Sequence, residues 1–106
     1  MDGIAERRLE LRSETGSIEV VVKLGRPVPD STYNSWKCEY EVWFGDKCKS
    51  MAMHGGDALQ ALQLSIATLD MELNIGAKRR GGTLYHLDEP FTSVLEDSGL
   101  QKRSAE

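Results

Sequence analysis

The sequence predicts an α+β fold in two layers, with an antiparallel sheet of about four to five strands packed on one long helix. Two observations support this prediction. Apolar and polar residues alternate in four runs between residues 4 and 53, which is the pattern of strands with one buried face. From residue 57 onward the apolar spacing becomes that of a helix, and a last alternating run follows at 83–87. The predicted element order is therefore β-β-β-β-α-β.

The first two strands are predicted to form a hairpin. Residues 4–12 place Leu9 and Leu11 on one face, and residues 17–25 alternate regularly. The apolar face of the second run carries Ile18, Val20, Val22 and Leu24. Gly16 lies in the turn between the runs, where it can adopt a positive φ angle.

The next two strands are predicted as a second hairpin, with a Gly45-Asp46 turn between residues 36–44 and 47–53. One face of the first strand carries Trp36, Cys38, Tyr40, Val42 and Phe44, and the other carries Lys37, Glu39, Glu41 and Trp43. We expect Cys38 to be buried and Glu39 and Glu41 to be exposed. Residues 26–35 contain two prolines and are predicted to be a loop.

The helix is predicted to begin after Asp57, a good N-cap residue, and to end near Gly76 as its C′ glycine. Its main apolar stripe, centred on Ile66, contains Leu59, Leu62, Ile66, Leu69 and Leu73. A second stripe on its back contains Leu64, Met71 and Ile75. This second stripe requires a cover, either the C-terminal segment or a second chain.

The chain of 106 residues fits one domain. We expect residues 1–90 to form it and residues 91–106 to be a C-terminal segment that packs partly on the helix and has a frayed end. The net charge of −4 argues against nucleic-acid binding. No apolar run is long enough to span a membrane, and the N-terminus lacks the pattern of a signal peptide. We therefore expect a cytoplasmic protein with reduced cysteines.

No motif for catalysis, metal binding or cofactor binding is present, so we expect no enzyme activity, no metal and no cofactor. The spacing of Cys38, Cys48, His54 and His86 matches no standard zinc pattern. Cys38 and Cys48 are expected to lie too far apart for a disulfide. A small-molecule or catalytic site near His54 remains an alternative.

Four short motifs occur along the chain: Arg26-Pro27, Trp36-x-Cys38-x-Tyr40, Gly55-x-Asp57-Ala58-Leu59-Gln60-Ala61-Leu62 and Gly82-x-Leu84. Together they resemble those of a bacterial family of about hundred-residue proteins of unknown function. The resemblance covers residues 4–91, and the charged tail after Phe91 departs from it. It supports the predicted order of elements and implies no catalytic residues.

In size and charge only, the chain is similar to immunity proteins, which neutralise a cognate toxin. We therefore expect a protein-binding protein that belongs to a toxin–antitoxin pair and neutralises the toxin by occluding it. The class of toxin we expect is a basic nuclease. The predicted contact residues are Trp43, Glu39, Glu41 and Asp46, because a tryptophan among carboxylates is typical of an interface. The N-terminal arm or the 26–35 loop could cover Trp43 instead. The alternative function is an accessory or homodimerising domain that uses Leu64, Met71 and Ile75.

Overall fold

The computed structural model describes residues 1–95 and contains one helix and seven strands. The strands are β1 (Gly3–Ser13), β2 (Gly16–Gly25), β3 (Val28–Asp30), β4 (Ser35–Phe44), β5 (Lys47–Gly55), β6 (Thr83–His86) and β7 (Glu89–Pro90). The helix α1 (Ala58–Arg79) lies between β5 and β6 in the chain. The predicted α+β class is confirmed, and every strand pair is antiparallel.

The strands lie in the order β5-β4-β2-β1-β6-β7, with β3 beside β4 on the same edge as β2. The predicted four to five strands become seven because two short strands were not expected. β3 lies in the stretch that was predicted to be a loop, and it contains Pro29. A proline is tolerated there because β3 is a short strand at the margin of the sheet.

The predicted faces of the strands are correct. The residues of the sheet that form the core under the helix are Leu9, Leu11, Val20, Val22, Tyr40, Val42, Phe44 and Leu84. Cys38 is fully buried on the same face. The β4–β5 turn has two residues and pairs Cys48 with Trp43, so the two thiols lie on opposite faces and both are free.

The helix is rotated relative to the prediction. Its buried residues are Ala61, Ser65, Leu69, Leu73, Gly76 and Ala77, whereas Ile66 is only half-buried and Leu59 is 63% exposed. The predicted stripe is therefore confirmed at Leu69 and Leu73, but it is wrong at Leu59 and in having Ile66 at its centre. The Phe44 ring of β4 lies directly against Gly76, so small residues of the helix face the sheet beside Leu69 and Leu73. The Ser65 hydroxyl donates a 2.7 Å hydrogen bond to the Cys38 carbonyl, which satisfies this buried polar group.

The helix begins where the sequence predicts, but it ends later than predicted. The Asp57 N-cap is confirmed, since its carboxylate accepts a 2.7 Å hydrogen bond from the Gln60 amide. Gly76 is not the C′ glycine; it lies inside the helix, where an added Cβ would meet the Phe44 ring at 2.4 Å. The helix ends at Arg79 with Arg80 as its C-cap, and the glycine that follows is Gly81, whose φ is +64°; the Gly82 amide donates to the Ala77 carbonyl at 3.0 Å.

The first part of the C-terminal segment packs along one flank of the helix. The Asp70 carboxylate accepts hydrogen bonds from the Ser93 hydroxyl at 2.6 Å and from the Val94 amide at 2.8 Å. Phe91 and Val94 also pack against the core. The end that we expect to be frayed lies outside the described residues.

Candidate functional site

The sheet presents a second face, opposite the helix, which we call the open face. Residues that pair across antiparallel strands point to the same side, so the register defines this face. It is formed by Glu6, Arg8, Glu10, Arg12, Glu19, Val21, Lys23, Lys37, Glu39, Glu41, Trp43, Cys48, Ser50 and Ala52. All of these side chains are exposed or half-buried except Val21, which is buried. The open face is therefore an accessible, mostly polar surface that spans four strands of the sheet.

Trp43 is the last open-face residue of β4 before the β4–β5 turn and is half-buried. Val21 on β2 and Cys48 on β5 are its cross-strand neighbours. Its indole Nε1 donates a 3.0 Å hydrogen bond to Glu41 Oε1. Neither of the two covers considered from the sequence lies over it, because the N-terminal arm is part of β1 and β3 pairs with the distant end of β4.

The carboxylates around Trp43 are less exposed and less isolated than the sequence suggested. Glu39 and Glu41 are half-buried, and Glu41 pairs across the strands with Lys23. Asp46 is exposed in the β4–β5 turn. Nearby, Arg8 forms ion pairs with Glu6 at 3.3 Å and with Glu19 at 3.1 Å. The open face thus carries interleaved charges of both signs on the strands that surround Trp43.

His54 has a partner that its position in the sequence did not reveal. Its Nε2 atom lies 3.0 Å from Asp30 Oδ2, across 24 positions of sequence, and the edge of its ring meets Tyr33 at a centroid distance of 5.2 Å. The hydrogen bond from His54 lowers the pKa of the Asp30 carboxyl, as do the Thr32 amide and the charge of Lys37. The pair ties β3 to the end of β5.

We expect the Asp30 carboxyl to titrate below its ordinary pKa of 3.8 and to shift upward in His54→Ala. A folded-state pKa below the unfolded value means that the contact stabilises the fold above the unfolded pKa, and that this stabilisation is lost as pH falls through the folded pKa. A pH titration of the carboxyl carbon by NMR measures both values. Equal pKa values in the wild type and in His54→Ala would show that the pair does not form in solution.

The thiols and carboxylates do not assemble into a metal site in residues 1–95, where no three His, Cys, Asp or Glu side chains form a group that could hold a metal ion. Burial is the main cause that raises the pKa of the Cys38 thiol. The Cys48 thiol is exposed, and its pKa is raised first by partial desolvation from its neighbours. For Cys48 the neighbouring Glu41 raises the pKa further, while Lys23 lowers it. Within the same range, no helix combines the length and the apolar character needed to cross a bilayer.

A second accessible surface lies on the flank of the helix that residues 91–95 do not cover. It contains Leu64, Met71 and Ile75, which we call the helix flank, and Met71 is 55% exposed. Residues 92–94 bind the opposite flank, through Asp70 and Asn74. The described part of the C-terminal segment therefore leaves the helix flank uncovered. Met51 on β5 is also exposed.

Comparison with known proteins gives one match. A family model described as a domain of unknown function, DUF6968, matches residues 5–94. No curated protein and no solved structure matches the chain. The family model covers most of the chain and nearly all of the residues in the described fold, which confirms the resemblance to a family of unknown function. The chain therefore belongs to the DUF6968 family of domains of unknown function.

Proposed function

We propose that this protein is a non-enzymatic protein-binding domain and that the open face around Trp43 is its binding surface. The class we propose is an immunity protein that occludes a toxin in the cytoplasm. The observation that carries the proposal is the position of Trp43, a half-buried tryptophan on the open face beside the β4–β5 turn. Tryptophan is enriched among the residues that contribute most binding energy in protein interfaces.

The hydrogen bond of the indole supports this role. Burying a polar group without a partner is costly, and an interface that covers a tryptophan must satisfy its N–H. In this protein Glu41 already accepts that N–H at 3.0 Å. A partner can therefore cover the ring with apolar atoms and leave no unsatisfied donor behind. The charged residues around the ring would then supply a polar rim.

The charges favour a basic partner only weakly. The chain has a net charge of −4, which supports attraction to a basic toxin domain such as a nuclease. On the open face, however, Lys23 lies opposite Glu41 in the strand register, so Glu39, together with Asp46 in the β4–β5 turn, is left to attract such a partner. Their contribution should appear mainly in the association rate and should decrease with added salt.

The proposal predicts that Trp43→Ala weakens partner binding by about 2 kcal/mol or more, because it removes an interface anchor. The partner is first captured from the source cells with the tagged wild-type chain and identified. Its affinity is then measured by calorimetry for each variant. Tyr33→Ala is the matched control, since Tyr33 is also aromatic and 70% exposed but lies in the loop before β4.

Wild-type affinity in the Trp43→Ala variant would contradict the assignment of the open face. The immunity role has a separate test: the captured partner should inhibit growth when expressed alone, and co-expression of the wild-type chain should relieve that inhibition. A partner that is harmless by itself would leave protein binding in place and exclude the immunity class.

A further inference from the structure

We propose that the protein forms a two-fold symmetric dimer in which β5 pairs antiparallel with β5 of a second copy and the two helix flanks pack together. The occupant of the uncovered helix flank is thus another copy of this chain. The inference does not depend on the proposed function, because Trp43 on the open face takes no part in the contact.

The first argument is the free edge of β5. Among the described residues this strand of nine residues pairs only with β4. The Gly45 amide donates to Glu19 on β2 at 2.8 Å, which shows that odd-numbered residues of β4 direct their backbone toward β2 and even-numbered ones toward β5. By this register, the backbone N–H and C=O groups of β5 that point away from β4 belong to Cys48, Ser50, Ala52 and His54. Such a row of groups can pair with another strand.

The second argument is that the self-paired register brings no like charges together. With the two-fold axis at Met51, all nine residues of β5 pair with the second copy. Each lysine then faces an uncharged residue, since Lys47 lies opposite Gly55 and Lys49 opposite Met53 of the second copy. Lys49 is also neutralised within its own chain by Glu72 at 2.8 Å. No like charges on β5 face each other, which would otherwise destabilise the pairing.

The third argument is the position of the helix. Neighbouring strands lie about 4.8 Å apart, and α1 packs mainly over β4 and β5. A two-fold axis beside β5 therefore places the two helices about 10 Å apart, which is the usual spacing of packed helices. A helix farther from the edge of the sheet would leave a gap, and the exposed apolar residues of the helix flank would find no partner.

The position along the helix that lies beside Met51 agrees with the same two-fold axis. Ser65 binds Cys38, whose partner on β5 is Met53, and Glu72 binds Lys49. Met51 lies between these two β5 residues, so the axis meets the helix between residues 65 and 72. This is the middle of the helix flank, and Leu64 of one copy then comes opposite Met71 of the other. The apolar stripe is thus self-complementary about one axis, as a two-fold interface requires.

The test measures the mass of the whole chain by light scattering and sedimentation over a range of micromolar concentrations. The wild type should have twice the chain mass of 11.8 kDa. Ser50→Pro removes an outward N–H without removing a bond to β4, and Met71→Glu places a charge on the helix flank; each should give the monomer mass with an unchanged far-ultraviolet circular dichroism spectrum. Gln63→Glu, which adds the same charge elsewhere on the exposed helix surface, should remain dimeric.

A monomeric wild type throughout this range would overturn the proposal, as would a dimer that Met71→Glu leaves intact. If Ser50→Pro fails to fold, Met71→Glu and Gln63→Glu still decide the outcome. A dimer that is lost in Trp43→Ala but kept in Met71→Glu would place the contact on the open face and would also contradict the proposal. Failure of the dimer leaves the binding of a toxin by Trp43 unaffected, so the two proposals are tested separately.

Discussion

Leu73→Ala should lower the free energy of unfolding by about 2–5 kcal/mol, the largest effect that we expect from a single truncation. Leu73 is fully buried at the centre of the contact between the helix and the sheet. Its removal takes away apolar contacts and leaves a cavity in the core between the helix and the sheet. For a domain of this size the loss is a large part of the total stability. Urea denaturation measures this loss as a lower midpoint, with an unchanged dependence of the unfolding free energy on urea concentration.

Leu59→Ala is the matched control on the same helix. The sequence pattern places Leu59 and Leu73 in one stripe, but the structure exposes 63% of Leu59. Truncation of an exposed leucine should change the stability by less than about 0.5 kcal/mol. Similar losses in the two variants would mean that the helix presents a different face to the sheet.

Gly55→Ala should destabilise the domain by about 1–3 kcal/mol, the usual cost of overpacking. A Cβ at this position would lie 2.5 Å from the backbone nitrogen of Ala61 and 2.9 Å from the carbonyl carbon of Gln60. These are backbone atoms of the first turn of the helix, so no side chain can rotate away. The helix would have to move off the end of β5. Thermal and urea unfolding of the variant measure the cost.

Gly56→Ala, one residue further along, is the control for this prediction. Its added Cβ would meet only the Gln60 side-chain oxygen, at 3.4 Å, which lies at the end of a flexible chain. The variant should therefore remain close to the wild type in stability. If Gly55→Ala is equally harmless, then the helix and β5 are not in the close contact described above.

The strands could be predicted because alternation reports directly which face is buried. The run from Trp36 to Phe44 placed Cys38 in the core and Trp43 on the opposite face, and the register confirms both positions. β3 could not be predicted in the same way, since three residues that include a proline carry no periodic signal. Its pairing depends on β4 and on the Asp30–His54 contact, which brings together residues that are distant in sequence.

The orientation of the helix could not be predicted because apolar patterns rank residues by hydrophobicity and ignore the space that the other layer leaves. Leucine and isoleucine at 59 and 66 suggested the buried stripe, but the bulk of Tyr40 and Phe44 fills the region under the helix. Small residues such as Ser65 and Gly76 therefore face the sheet. The face that the helix turns toward the sheet depends on the side-chain volumes of both layers, which the pattern of the helix alone does not contain.

The candidate surfaces were predictable to different degrees. The position of Trp43 on the open face and the second helical stripe both follow from simple periodicity. The charges that offset Glu41 depend on pairing between strands, so the acidic cluster expected from the sequence is more balanced in the structure. Residues 91–95 pack on the flank of the helix that contains Asp70 because Ser93 and Val94 form hydrogen bonds with its carboxylate. No local sequence pattern indicates these contacts.

The most direct test of the central claim, that the open face binds the partner, is the accessibility of Trp43 itself. In a Trp36→Phe variant Trp43 is the only tryptophan, and acrylamide quenching of its fluorescence reports contact with solvent. The free variant should be quenched, and the complex with the captured partner should be strongly protected. Equal quenching before and after binding, with complex formation verified by calorimetry, would contradict the account.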